Sequence, residues 1–248
     1  MIRQLILLFF LFCYFIANAC NAKSLSINVY LKLNPNNQIK TLIKEFNQFL
    51  SQQGLFATYQ IAPYINAYPL HITLYLTNYD AKQIPTLIKQ TEILAKQHKP
   101  ISFFTLQFIP NSSGYLMLAI EPNKELQQLS DDVLNALTNL RDKHAKIPMW
   151  ASKDHERKAL FHQYGSPSIF HYFIPHVSIF SADHLSNKQN AILYQQLKIL
   201  IPQFATSHQI HIQDIAYTIG IGIADSNGQI IKELGAFKMS QSSNLPNS

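Results

Sequence analysis

Two short runs constrain this chain more than any other feature. "YPLHITLYL" spans residues 68–76 and "YFIPHVSIF" spans 172–180. In each, a proline stands just ahead of a histidine. The histidine is followed by one apolar residue, a hydroxyl and further apolar residues. Short runs rich in β-branched and aromatic residues predict strands. Successive side chains of a strand point to opposite faces. Leu70, Ile72 and Leu74 therefore share one face, and His71, Thr73 and Tyr75 the other. By the same rule Pro175, Val177 and Ile179 oppose His176, Ser178 and Phe180. Each apolar set suits burial under helices and leaves an imidazole, a hydroxyl and an aromatic on display.

The surroundings of the two runs match as well. A strand is expected over 24–33, then a helix over 35–53 with Ile39, Leu42, Ile43, Phe46 and Leu50 on one stripe and Gly54 as a stop. The first histidine strand, over 70–77, follows. Asp80 can cap a helix running to about residue 97, with Pro85 near its start, where proline is tolerated. Strands over 101–109 and 115–120 are joined by the turn signal "PNSSG". Helix, histidine strand, helix and hairpin then recur, over 123–144, 172–180, 187–201, and 210–223 with 229–237. The second hairpin turns through "DSNG". The expected fold is α+β and bilobal: two antiparallel sheets flank a central cleft, with helices on the outside. The halves divide near 121–150.

Composition bounds the rest. The chain has 248 residues, of which 47% are hydrophobic and 14% charged, enough to bury a core and too apolar for a disordered chain. The start, "MIRQLILLFFLFCYFIANAC", has one basic residue, an apolar run and a small-residue Ala17-Asn18-Ala19 pattern. That is the layout of a signal peptide over 1–19, cleaved near 19–22. Export to a periplasm or to the outside is expected, with no stable membrane span in the remaining chain. Acylation at Cys20 is the lesser alternative. Beyond Cys20 there is no cysteine, so the body over 23–240, expected to be one bilobal domain and a monomer, can form no internal disulfide. The tail over 241–248 reads as loose. The formal net charge of +6 favours anionic partners.

A doubled imidazole–hydroxyl display suits phosphodiester chemistry. Histidine titrates near ~6.5, so one imidazole can take a proton from an attacking hydroxyl while another protonates the leaving oxygen. Neighbouring hydroxyls can donate to the non-bridging phosphate oxygens. This scheme needs no metal or cofactor. His71 and His176 are the expected catalytic pair, and Thr73 and Ser178 the phosphate-binding residues. Tyr75 and Phe180 are placed to stack on a base.

"PLHITLYL" and "IPHVSIF" resemble the paired His-x-Thr/Ser motifs of the 2H phosphoesterase superfamily, which includes 2′-5′ RNA ligase-like proteins and 2′,3′-cyclic nucleotide phosphodiesterases. The resemblance extends through the element order from Ser24 to Phe237. It implies a bilobal α+β fold with a cleft, His71, Thr73, His176 and Ser178 as site residues, and as substrate an RNA end, oligonucleotide or cyclic nucleotide carrying a 2′,3′-cyclic phosphate or a 2′-5′ or 3′-5′ linkage. Two features depart from the pattern. The segment over 145–168, with Trp150, is long and irregular, and neither motif has a distinctive basic residue beside it.

Two other readings fit the same residues. One is a binding module of the same fold that holds a nucleotide without cleaving it. The other is a histidine-rich envelope protein that binds metal through His155, His162, His171 and His176. The spacing of these four matches no metal motif, and His208 and His211 would point to opposite faces of a strand. Gly220 and Gly222 lack the rest of a dinucleotide loop and read as strand glycines that permit a close approach, possible between the lobes.

Overall fold

The computed structural model describes residues 23–34 and 37–240. The expected leader and the expected tail lie outside the described residues. Among the described residues no helix is long and apolar enough to cross a membrane.

The chain runs β1 (Ser24–Lys32), α1 (Gln38–Gln52), α2 (Leu55–Tyr59), β2 (His71–Asp80), α3 (Ile84–Gln97), β3 (Ile101–Pro110), β4 (Tyr115–Ile120), α4 (Lys124–Leu137), α5 (His155–Tyr164), β5 (His176–Ser181), α6 (Asn187–Ala205), β6 (Gln213–Ala216), β7 (Thr218–Ala224) and β8 (Ile230–Lys238). Helix starts follow capping chemistry. Asn37, Asn123 and Asp154 each accept backbone N–H groups of the following turn, and Ser186 and Gln189 form a capping box at α6. Asp80 caps a 3₁₀ turn that leads into α3, with Pro85 at the helix start.

The strands form two four-stranded sheets, β2-β1-β7-β8 and β5-β4-β3-β6. Every pairing is antiparallel. The α+β, two-sheet expectation holds. The two halves, however, exchange parts. The hairpin that follows β2, made of β3 and β4, joins β5. The hairpin that follows β5, made of β7 and β8, joins β1 and β2. Each histidine strand is thus the edge of its own sheet, and β2 and β5 lie side by side where the sheets meet.

Two elements differ from the sequence reading for the same reason. The strand expected over 210–223 is broken at Tyr217, because β6 pairs with β3 in one sheet and β7 with β1 and β8 in the other. The helix expected over 123–144 ends at Leu137, with one 3₁₀ turn to Leu140. Beyond it Arg141 bridges to Tyr79, and the Asp142 N–H donates to the Asn78 carbonyl, so the chain peels off to extend β2.

Helices cover the outer faces. In α1 Phe46 stacks on Phe108 of β3 at 3.9 Å and tilts against Phe204 of α6 at 4.9 Å. Helices α3 and α4 pack on the other sheet, α3 against β7 and β8 and α4 against β2. Apolar stripes from both sheets and their helices form one buried core.

Both histidine strands carry a β-bulge at the same place. Opposite β1, Tyr30 pairs with Thr73 and Val29 with Tyr75, so Leu74 is the extra residue. Opposite β4, Met117 pairs with Ser178 and Leu116 with Phe180, so Ile179 is the extra residue. An extra residue shifts the alternation by one and turns every later side chain to the other face. The Leu74 carbonyl at the first bulge accepts a hydrogen bond from Ser130 Oγ of α4 at 2.8 Å in a buried setting. Ser130→Ala would leave this carbonyl unsatisfied, at a cost of about 1–3 kcal/mol. Urea unfolding should show a lower midpoint with an unchanged slope. A stability equal to wild type would mean that the bulge does not need this bond.

Candidate active site

The bulges correct one expectation. Tyr75 and Phe180 do not face the cleft. Tyr75 is 1% exposed, and its hydroxyl donates to the Tyr164 carbonyl. Phe180 is fully buried, with its ring edge-on to Phe56. Strict alternation assigned both to the side of the histidines, and the extra residues Leu74 and Ile179 send them to the core. The irregular 145–168 segment docks through the same inversion. Thr77 donates to the Gly165 carbonyl at 2.6 Å, beside the Tyr75–Tyr164 bond. Gly165 has φ +81°, and a Cβ there would run into Thr77 and Arg141.

Ahead of the bulges the alternation is regular. His71 and Thr73 share the cleft face of β2 with Tyr30 and Asn28 of β1, and His176 and Ser178 share the cleft face of β5 with Tyr115 of β4. The cleft wall takes His71 from one motif and Val177 and Ser178 from the other, together with Tyr64, Tyr68 and Gln229.

Each imidazole is held by the same device. His71 Nδ1 lies 2.9 Å from the Pro69 carbonyl, and His176 Nδ1 lies 2.7 Å from the Ile174 carbonyl, in both cases two residues back. A carbonyl only accepts, so Nδ1 carries the proton and Nε2 keeps its lone pair. The proline before each histidine belongs to this bend: Pro69 supplies the carbonyl itself, and Pro175 follows the residue that does.

Each imidazole also has a tyrosine from the neighbouring strand, which the sequence reading missed. The Tyr30 ring stands edge-on to His71 with centroids 5.3 Å apart, and the Tyr115 ring stands edge-on to His176 at 6.1 Å. Tyr30 donates to Glu233 at 2.9 Å, and its ring lies where a Cβ on Gly220 would be. Gly220 therefore serves an approach within one sheet rather than between lobes. The Tyr115 hydroxyl lies 3.4 Å from His176 Nε2 and is hydrogen-bonded to Ser178 Oγ. Burial pushes its pKa up to about 12, so it remains a phenol. Thr73 Oγ1 accepts from Asn28 Nδ2 at 2.8 Å, an amide that also donates to the Gly228 carbonyl at 2.9 Å. With its oxygen so occupied, the Thr73 hydroxyl proton is free to donate elsewhere.

Other histidines have ordinary partners. His171 pairs with Glu156 and His211 with Glu121, each at 2.9 Å, and His208 stacks on Phe204. Among the described residues no three His, Cys, Asp or Glu side chains converge as a metal-ligating group.

Burial lowers the pKa of both cleft imidazoles. At His71 the positive form of His176 adds to this, while the Pro69 and Gly228 carbonyls and the Asp225 charge oppose it. At His176 the Ile174 carbonyl opposes it. Both are neutral at pH 7. Below about 6.5 the unfolded chain binds protons that these two native imidazoles resist, so stability falls as pH drops through that value. The melting temperature should therefore drop more steeply between pH 7.5 and 5 in wild type than in the His71→Gln/His176→Gln double variant. Parallel declines would show that neither imidazole is held neutral by the fold.

Comparisons with known proteins add a family. The chain is similar in structure to E. coli LigT complexed with NADP+, at 10% identity over 88% of this chain and 100% of that one, with a TM-score of 0.46. It is similar to E. coli LigT complexed with 3′-AMP at 12% identity, covering 88% and 100%, TM-score 0.46. It is also similar to Kluyveromyces marxianus Usb1 at 14% identity, covering 88% and 97%, TM-score 0.45. No curated protein matches. The family model of the 2′-5′ RNA ligase superfamily matches residues 35–212, well over half of the chain and including both histidine motifs. The chain belongs to the 2′-5′ RNA ligase superfamily, the 2H phosphoesterases.

Proposed function

We propose that this protein is a phosphodiesterase that opens 2′,3′-cyclic phosphates, or cleaves 2′-5′ or 3′-5′ linkages, at RNA ends or in nucleotides. The observation that carries the reading is the matched pair of imidazoles. Each is fixed through Nδ1 by a carbonyl two residues back, which leaves the proton on Nδ1 and the lone pair on Nε2, and the protonated form of His176 disfavours that of His71 where two sheet edges meet. In hydrolysis of a cyclic phosphate, one Nε2 takes a proton from water as its oxygen bonds to phosphorus. The P–O bond to one ribose oxygen breaks, and the other imidazole, in its protonated form, gives that oxygen a proton. The product is a phosphomonoester.

The surroundings favour one division of labour. His176 has the Tyr115 phenol against Nε2, which suits a neutral base. The Gly228 carbonyl and the Asp225 charge favour the protonated form of His71, which suits an acid. Thr73 and Ser178 orient the phosphate by donating to its non-bridging oxygens. The two proton transfers need no metal in this scheme. The apolar start of the sequence, with its small-residue cleavage pattern, supports work after export.

Turnover of a 2′,3′-cyclic nucleotide in the presence of a chelator is the test. His71→Ala and His176→Ala should each lower kcat by about 10²–10⁴-fold. The double variant should lose less than the product of the two, because the pair acts as a unit. Full activity in either single variant would end the two-histidine mechanism.

A further inference from the structure

The cleft raises a problem of charge. A phosphodiester is an anion, yet none of the residues lining the cleft is Lys or Arg. Lys32 sits opposite His71 in the β1–β2 ladder, but its ammonium is bound by both oxygens of Glu233, at 2.9 and 2.7 Å. The charges close to the cleft are negative. Asp225 accepts the backbone N–H of Gln229 at 2.9 Å, and Asp183 accepts from Asn227 at 3.3 Å in the same β7–β8 loop.

Two residues of the cleft face carry a buried polar atom without a good partner: Asn28, whose Oδ1 can only accept, and Tyr64, whose hydroxyl can donate to an anion. Tyr64 is 9% exposed, and its buried hydroxyl makes no hydrogen bond of good geometry, although the Ser181 side chain lies near it. The ring is fixed edge-on to Tyr68 at 5.6 Å, and the residue lines the cleft with His71 and Ser178. A buried hydroxyl without a partner costs free energy, and such groups are rare in folded proteins. Burial raises its pKa, with Tyr115, Asp225 and Asp183 adding to this and the Ser181 side chain opposing it, so it stays a donor.

We propose that Tyr64 is a substrate-binding residue whose phenol donates to the phosphate, completing a set of neutral donors with Tyr115, Thr73, Ser178 and Gln229 that selects monoanionic phosphodiesters over dianionic phosphomonoesters. The proposal rests on the function given above and extends it to how substrate is told from product. Neutral donors hold a single negative charge without a cation. The second charge of a monoester would meet the field of Asp225 and Asp183, and like charges at close range disfavour binding. Hydrolysis turns a monoanion into a group carrying nearly two charges at neutral pH, so the reaction itself weakens the grip on its product.

Tyr64→Phe removes only the hydroxyl. It should lower kcat/KM for a 2′,3′-cyclic nucleotide by about tenfold or more, chiefly through KM, while the melting temperature holds or rises because an unsatisfied buried group has gone. Calorimetry at pH 7.5 should show 2′-deoxynucleoside 3′-methylphosphate binding wild type at least about tenfold more tightly than 2′-deoxynucleoside 3′-monophosphate, and Tyr64→Phe should weaken the diester by a similar factor. Unchanged kcat/KM and diester affinity in Tyr64→Phe, a loss of stability in step with activity, or equal or tighter binding of the monoester would each overturn the inference. Wild-type turnover with no Tyr64 effect would sink this inference alone. Tight diester binding without any turnover would sink the catalytic reading and leave this one standing.

Discussion

The site exists because two sheet edges meet. An edge strand presents unpaired N–H and C=O groups and is normally shielded. Here β2 and β5, each with a single ladder partner, lie against one another. The exchange of hairpins enforces this arrangement. The sheet of β2 is completed by strands from the end of the chain, and the sheet of β5 by strands from its middle. Neither histidine strand has a complete sheet until the other half has folded. Two motifs about a hundred residues apart are thereby delivered to one cleft by the same contacts that build the core.

Within that frame the bulges divide each strand into two functions. Before the extra residue the side chains serve the cleft: His71 and Thr73 on β2, His176 and Ser178 on β5. After it they serve the core, and on β2 they anchor the 145–168 excursion through Tyr75 and Thr77. A regular strand would have put Tyr75 and Phe180 beside the histidines. The place beside each imidazole is filled instead from the adjacent strand, by Tyr30 and by Tyr115. These two are not equivalent. Tyr30 is committed to Glu233, whereas Tyr115 contacts Nε2 of His176 and the hydroxyl of Ser178 in its own motif. The duplication is thus symmetric in backbone and asymmetric in chemistry, as the proposed division into one acid and one base requires.

Much of this was legible in the sequence, and the failures have definite causes. Period-two alternation located both histidine strands and the pairing of His71 with Thr73 and His176 with Ser178, because those residues precede the bulges. It failed at Tyr75 and Phe180 because no glycine or turn residue marks Leu74 or Ile179 as extra. Periodicity also cannot say which sheet a strand joins, so the exchange of hairpins and the break at Tyr217 were hidden. Tyr64 and Tyr115 were lost among 12 tyrosines. The one available signal, that Tyr115 opens a strand hairpinned toward a histidine strand, needed the register to be read.

Under the proposed mechanism, the missing basic residue follows from the use of histidine as both acid and base. A Lys or Arg against the phosphate would strengthen substrate binding, but its charge would also disfavour the imidazolium form of a histidine only a few ångströms away. Burial already lowers both histidines, and at His71 two carbonyls and Asp225 act against that trend. A cation in the cleft would cancel their effect and make the protonated form of the acid scarcer still at neutral pH. The formal net charge of +6 belongs to the chain as a whole and can still draw anions toward the protein over long range. At contact, the proposed hydroxyls, phenols and amide would hold the phosphate without adding a positive charge, and the acid would stay within reach of its proton.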